Sequence, residues 1–263
     1  MRNVLRTLIL GLSFAVLANC GRSKTSITLA GSTAFQPFAE KLAEQYMIGH
    51  PGVNITVQGG GSAVGIQSAL SGAAQIGMAD LVQLPPEAKE LTATPVARDG
   101  IAVVVNPANK AAGLTMAQIR GIFNGTIRNW KEVGGGDAPI TVVSREAGSG
   151  TRSSFEQIVK EVVLSRDALI QDSNGTIRET VANDANAVGY LSHGLLNEKI
   201  KALKIDGQDC TTETVVSGKY PLVRPIYLLV KGPASESMNA FIDYILSPEG
   251  QQTIKANGLI PAK

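Results

Sequence analysis

Short apolar runs recur along this chain, each followed by a loop and then by a stretch with helical periodicity, and that order leaves few folds open. "ITLAG" reads as a strand, and "PFAEKLAEQYMIG" after it reads as an amphipathic helix that stops near Gly49 and Pro51. "VNITVQG" is the next strand, "GGGSA" a turn, and "VGIQSALSGAA" the next helix. "QIGMAD" and the β-branched run "PVARDGIAVVVNP" follow as strands. A repeated β-loop-α order requires crossover helices between parallel strands, hence an α/β layer structure.

The pattern then restarts. "TMAQIRGIF" is helical, "PITVVSRE" a strand, "SSFEQIVKEVV" a helix, and "GTIRETVANDAN" a second helix before "AVGYLS". "YPLVRPIYLLVKG" is rich in strand formers, and "SMNAFIDYILSPEGQQTIKANG" supplies one or two closing helices. Two successive α/β units predict two lobes. The apolar strands at 101–106 and 225–230 are candidates for the crossings between them.

The N-terminus has a short basic region, then an apolar run from Leu8 to Ala18 that ends in "LANC". The run is too short for a membrane span, and "LANC" looks like a lipobox. The expectation is a lipoprotein signal peptide over 1–19, lipidation of Cys20, and an anchor linker over 20–26. Cys210 then has no partner in the chain, so a disulfide framework is excluded. With two histidines, a Cys/His zinc site is not expected.

Of the 24 basic residues, Arg2 and Arg6 lie in the leader, so the rest of the chain carries 22 basic against 22 acidic residues. Such a balance argues against nucleic acid as a partner, because phosphate backbones demand a strongly basic face. Any anion site must be local.

Three loops meet that description: "AGSTAF" (30–35), "GGGSAVG" (59–65) and "AGSGTR" (147–152). Each follows a strand, precedes a helix and consists largely of Gly, Ser and Thr. Helix N-termini carry N–H groups without intrahelical partners, and the macrodipole adds partial positive charge. They are therefore anion sites in waiting. Equally, Ser32, Ser62, Ser149 or Thr151 can serve only as helix caps. Arg145 lies just before the third loop. Its guanidinium matches two oxygens of a phosphate or carboxylate, or it pairs with adjacent Glu146. Asp80 closes "QIGMAD" and is either a turn residue or a carboxylate facing an oxyanion. The second role is tolerable only when the ligand offers a proton, as hydrogen phosphate does and sulfate does not.

Enzyme motifs fail: no Walker loop, no G-x-G-x-x-G and no G-x-S-x-G stand in the chain, and the two histidines are His50, in the turn "GHPG", and His193, in "YLSHG". No catalytic residue, metal or cofactor is expected. An enzyme acting on phosphate esters and a receptor for another oxyanion are the competing readings.

With these loops in view, the chain resembles the periplasmic phosphate-binding proteins of ATP-driven phosphate importers. The similarity runs over nearly all of the chain after the leader, including "AGSTAFQPFAEKLA", "QGGGSAVGIQSALSGAAQIGMAD", "VVSREAGSGTRSSFEQ" and "FIDYILSPEGQQ". It implies a two-lobed type II "Venus flytrap", with mostly parallel central sheets and two crossing strands as hinge. Lobe 1 would take 27–104 and 225–263, and lobe 2 would take 105–224. It also implies high-affinity binding of mono- and dihydrogen phosphate in the cleft and delivery to membrane permease and ATPase subunits. Such a receptor would be a monomer tethered to the cell envelope, periplasmic or extracytoplasmic.

Carried over by position, Thr33 offers its hydroxyl and amide, Ala34 its amide, and Ser32 stands as a further candidate. Ser62 donates through hydroxyl and amide, and Asp80 accepts the phosphate proton. Arg145 binds two oxygens, and Ser149, Gly150 and Thr151 close the far side. Two positions depart from longer relatives: Ala147 replaces an Asp that orients the arginine, and Ala34 replaces a bulky aromatic. Glu146, or nothing, takes the orienting role.

Overall fold

The computed structural model describes residues 25–262. The expected leader, the Cys20 anchor and most of the linker lie outside them. β1 (Thr25–Gly31) leads to α1 (Gln36–Gly49), β2 (Val53–Gln58) to α2 (Ser62–Ser71), and β3 (Ile76–Ala79) to the long β4 (Leu91–Val105). β1 pairs in parallel with both β2 and β3, which obliges α1 and α2 to cross over the sheet. α1 buries Phe38, Leu42 and Tyr46, spaced a helical turn apart, and has a proline in its first turn, where no N–H is missed. α2 ends on Gly72, which takes the left-handed conformation with φ 77°.

The second half begins with β5 (Gly113–Leu114) and α3 (Met116–Phe123). It continues through β6 (Thr141–Arg145), α4 (Gly150–Val159), β7 (Leu169–Gln171), α5 (Asn174–Asn183) and β8 (Ala187–Ser192). Two short strands, β9 (Lys201–Ala202) and β10 (Lys204–Ile205), and α6 (Thr212–Val216) precede β11 (Val223–Lys231). α7 (Glu236–Leu246), α8 (Pro248–Ala256) and β12 (Ile260–Pro261) finish the chain.

α4 differs from its sequence-based expectation at both ends. It starts at Gly150, capped by Ser149, and stops at Val159 because Lys160 and Glu161 adopt positive φ of 59° and 52°. Arg120 from α3 accounts for the stop: its Nη2 and Nε donate to the carbonyls of Val159 and Lys160 at 3.0 and 2.9 Å. Terminal carbonyls of a helix need such donors. The closing segment splits at Ser247, which ends α7 and caps α8, its Oγ accepting from the Gly250 amide at 3.2 Å.

Along the sheet the order is β2-β1-β3-β11-β4-β8-β6-β7. The wings are parallel, β1 with β2 and β3 on one side and β6 with β7 and β8 on the other. The central strands β4 and β11 are antiparallel to each other and to their outer neighbours. β4 pairs with β11 through Gly100 and with β8 from Ile101 onward. At that switch the Ile101 amide donates to the Leu222 carbonyl at 2.8 Å, so both connections pass the same point.

Apolar side chains gather on either side of it. One cluster is built from Ile27 to Ala97 and Ile226 to Leu259, another mainly from Ile101 to Leu222. A third, smaller cluster around Ile66, Leu81 and Leu229 fills in beneath α2.

Candidate functional site

The three Gly/Ser/Thr loops lie at the sheet ends facing the junction between the halves. After β1, the Ser32 hydroxyl is fully buried and accepts from the Phe35 amide at 3.1 Å, so it serves the turn into α1. Thr33 Oγ1 accepts from Asn174 Nδ2 at 3.0 Å, a contact between the halves. The amides of Thr33 and Ala34 have no acceptor among the described residues. In the second loop Gly61 (φ 88°) turns the chain so that Ser62 opens α2. Ser62 Oγ donates to Asp80 Oδ1 at 2.7 Å and accepts from the Asp80 amide at 3.0 Å, while its own amide is unengaged among the described residues.

The third loop meets these from the other half. Ser149 caps α4, its Oγ accepting from the Arg152 amide at 3.2 Å. That leaves the amides of Gly150 and Thr151 without acceptors among the described residues. Thr151 Oγ1 donates to Asp80 Oδ2 at 3.1 Å, and Ser154 Oγ donates to the Asp80 carbonyl at 3.1 Å. The Ala63 amide reaches back to the Gly148 carbonyl at 3.1 Å. Gly150 is what lets α4 approach. A Cβ there would stand 2.1 Å from Ser62 Oγ and 2.8 Å from the Asp80 carbonyl oxygen.

Arg145 ends β6 fully buried. Its Nε and Nη2 each donate to a different oxygen of Glu146 at 2.8 Å, a planar two-point pair, and Nη2 also reaches the Asp172 carbonyl at 3.3 Å. Nη1 is buried and has no hydrogen-bond partner among the described residues. Glu146 therefore orients the guanidinium although Ala147 cannot, and the pairing that the sequence offered as an alternative to anion binding leaves one nitrogen free. Glu146 also lies against the second loop, where a Cβ on Gly61 would come within 3.1 Å of its Oε1.

Two residues that sequence reasoning passed over belong to the same cluster. Arg224, on β11, is fully buried, and its Nη1 forms an ion pair with Asp80 Oδ2. Its Nη2 and Nε donate to Asp99 Oδ2 at 2.8 and 3.2 Å. Asp99, on β4, accepts from Ser192 Oγ at 2.9 Å, and burial pushes its carboxyl above the usual carboxylate range despite Arg224 beside it. Arg145 is thus not the only buried cation at the junction, and Asp80 is not an unpaired carboxylate. The signal was present: "PVARDGIAVVV" and "YPLVRPIYLLV" each carry charge inside an otherwise apolar strand.

Asn174 completes a circuit. Its Oδ1 accepts from the Ser192 amide at 3.0 Å while its Nδ2 serves Thr33. Hydrogen bonds run from Ser62 through Asp80, Arg224, Asp99, Ser192 and Asn174 to Thr33.

Other conspicuous residues lie elsewhere. Trp130 is buried with Nε1 donating to the Asn186 carbonyl at 2.9 Å, His50 stacks on Tyr46, and His193 Nδ1 bonds the Gly258 carbonyl at 3.0 Å. Cys210 is buried, and burial pushes its thiol up to about 12. Among the described residues no cluster of His, Cys, Asp and Glu could hold a metal, and no helix is long and apolar enough to cross a membrane.

This arrangement has counterparts. A family model described as the PBP superfamily domain matches residues 19–249. The phosphate-binding protein PstS of Bacillus subtilis strain 168 is 35% identical over 245 residues, covering 91% of this chain and 82% of that protein. This chain belongs to the PstS-like phosphate-binding proteins of the PBP superfamily. A phosphate ABC transporter substrate-binding protein from Clostridium perfringens, solved with bound phosphate, superimposes with a TM-score of 0.88. It is 40% identical, and the match covers 91% of this chain and 100% of that one. An ABC-type phosphate transport receptor from Vibrio cholerae gives a TM-score of 0.74 at 36% identity, covering 89% and 99%. The mixed α/β fold of the PstS-like proteins, with its curled central sheet and two lobes, is the fold of this chain. The family is one of substrate-binding transport proteins.

Proposed function

We propose that this chain binds inorganic phosphate between its two halves and hands it to an ABC-type importer. One observation carries the reading: the second and third strand-to-helix loops, from opposite halves, meet on Asp80, and the first is tied across the same junction by Thr33, with the amides of Thr33, Ala34, Ser62, Gly150 and Thr151 left over as donors. Helix N-termini with free amides suit a tetrahedral anion. Arg145, with Nη1 unspent, supplies fixed positive charge for two oxygens. In this reading the hydroxyls of Thr33, Ser62, Ser149 and Thr151, which are engaged within the protein, exchange those partners for the ligand when it enters. Ser32 contributes only the shape of its loop.

Asp80 makes the site selective. It accepts the proton of mono- or dihydrogen phosphate, whereas sulfate would set oxygen lone pairs against a carboxylate in a dry cleft. A buried acceptor without a donor costs about 1–3 kcal/mol, more when charged. Sites built around a ligand's hydrogen-bonding group reject analogues lacking it by roughly 10⁴–10⁵.

The lobes in this reading are 27–104 with 225–263, and 105–224, moving about the strands that cross between them. The protein acts as a monomer without catalytic turnover, tethered through lipidated Cys20, and when closed it delivers phosphate to the membrane permease of an importer driven by its ATPase subunits. Calorimetric titration of the phosphate-stripped protein with phosphate, sulfate, arsenate and molybdate tests the proposal. Saturable phosphate binding with sulfate excluded is expected; equal affinity for both, or phosphate-ester hydrolysis in a parallel assay, would overturn it.

A further inference from the structure

The buried triad of Asp80, Arg224 and Asp99 holds two carboxylates and one guanidinium with almost no access to solvent. Such a group is costly to assemble, because each ion sheds its hydration and one carboxylate is left in excess. Nothing in the anion site as described requires Arg224, which lies on a crossing strand and not in any of the three loops. Its placement nonetheless bears directly on the acceptor. Oδ1 of Asp80 takes the Ser62 hydroxyl, and Oδ2 takes both Thr151 and Arg224. The guanidinium Nη1 also lies 3.5 Å from the Asp80 carbonyl, which fixes the backbone at the end of β3.

We propose that Arg224 is a positioning residue for anion selectivity: it holds Asp80 as a proton acceptor, and through Asp99 it anchors that acceptor to the strands that cross between the halves. The inference rests on the reading of Asp80 as the group that discriminates phosphate from sulfate. A buried carboxylate deprived of its countercharge is neutralised by a proton. Neutral Asp80 would offer an O–H, which sulfate accepts, so the loss of Arg224 converts the discriminator into a donor for either anion. Asp99 reinforces the device. Its carboxyl is pushed up by burial, and when it is protonated the whole charge of Arg224 falls to Asp80. Tyr220 and Cys210 face the triad on the Asp99 side, and Glu146, paired with Arg145, lies against Gly61, next to the Ser62 that holds Asp80.

The test is calorimetry with phosphate and sulfate on the wild type, Arg224→Gln, Arg224→Lys and Asp80→Asn, from about pH 8 to about pH 5.5. The wild type should keep its phosphate-to-sulfate ratio across that range. Arg224→Gln should lose at least about tenfold of the ratio, increasingly as the pH falls, and Arg224→Lys should recover most of it. Asp80→Asn should lose the ratio at every pH.

A folded Arg224→Gln protein with the wild-type ratio throughout would overturn the proposal. So would sulfate competing in the wild type at the acid end. Where Arg224→Gln does not fold, Arg224→Gln with Asp99→Asn removes one charge of each sign, and the same loss of ratio is expected; a wild-type ratio there overturns the proposal too. If Asp80→Asn leaves the ratio intact, the discriminating role of Asp80 fails first, and this inference with it, while phosphate binding itself stands.

Discussion

Arg145 and Arg224 are both buried guanidiniums next to carboxylates, yet they should respond differently to substitution. Arg145 spends two nitrogens on Glu146 and keeps Nη1. A lysine cannot reproduce that planar fork: it would keep the charge but lose the two-point orientation. Arg145→Lys is expected to weaken phosphate binding by about 1.5–3 kcal/mol, hence by a factor of about 10 to 150, the range for hydrogen bonds to charged groups. Because Arg145 attracts any oxyanion, sulfate should weaken in step and the ratio of the two affinities should hold. Calorimetry with both anions checks this, and a shifted ratio would mean that Arg145 takes part in discrimination. At this scale the sequence was legible where a residue acts through its neighbours in the chain. Ser149 as a candidate cap and Glu146 beside Arg145 needed no fold. The Arg224 pairing did, because it joins residues 144 positions apart through strands whose register no local pattern encodes.

Among the elements, α4 carries the most exacting requirement. Its first residue, Gly150, packs against Ser62 and Asp80 from the opposite half, and the Asp80 carbonyl is backbone that cannot turn away. Gly150→Ala places a methyl in that contact. Alanine favours the helix itself, so the fold of the second half should be unharmed or slightly improved. Closure should suffer by the about 1–3 kcal/mol typical of overpacking, hence about five- to 150-fold in phosphate affinity. An unchanged ligand-free melting temperature with weakened binding is the expected pair of results; unaltered affinity would show that α4 does not seat this closely. The periodicity of α4 was readable from "SSFEQIV", but its limits were not. The sequence offered both Ser149 and Thr151 as caps, and only the fold selects Ser149; the end depends on Arg120 reaching over from α3. Strand direction shows the same division. Crossover helices implied the parallel wings, whereas the antiparallel centre follows from how β4 and β11 pass between halves, a property of the folded chain.

For the molecule as a whole, the question is how much of ligand affinity comes from coordination and how much from the halves closing on each other. Several protein–protein bonds span the junction without needing an anion, and Ser154 makes the most separable of them. Its Oγ donates to the Asp80 carbonyl and accepts from the Val82 amide at 3.1 Å each, yet it belongs to none of the donors assigned to phosphate. Ser154→Ala leaves the Val82 amide without a partner and the Asp80 carbonyl with only the long 3.5 Å contact from Arg224 when the halves are closed, while water satisfies both when the halves part. The closed state should lose about 1–3 kcal/mol, and apparent phosphate affinity should fall about five- to 150-fold. Ligand binding to the native state adds RT ln(1 + [L]/Kd) of stability, about 1.4 kcal/mol per decade of phosphate once the site is saturated. In a melting series against phosphate concentration, Ser154→Ala should therefore show the wild-type slope, displaced to higher phosphate, and sulfate should give no slope in either protein. An unmoved onset would show that closure contributes nothing to affinity, and that the contacts between the halves merely accompany binding.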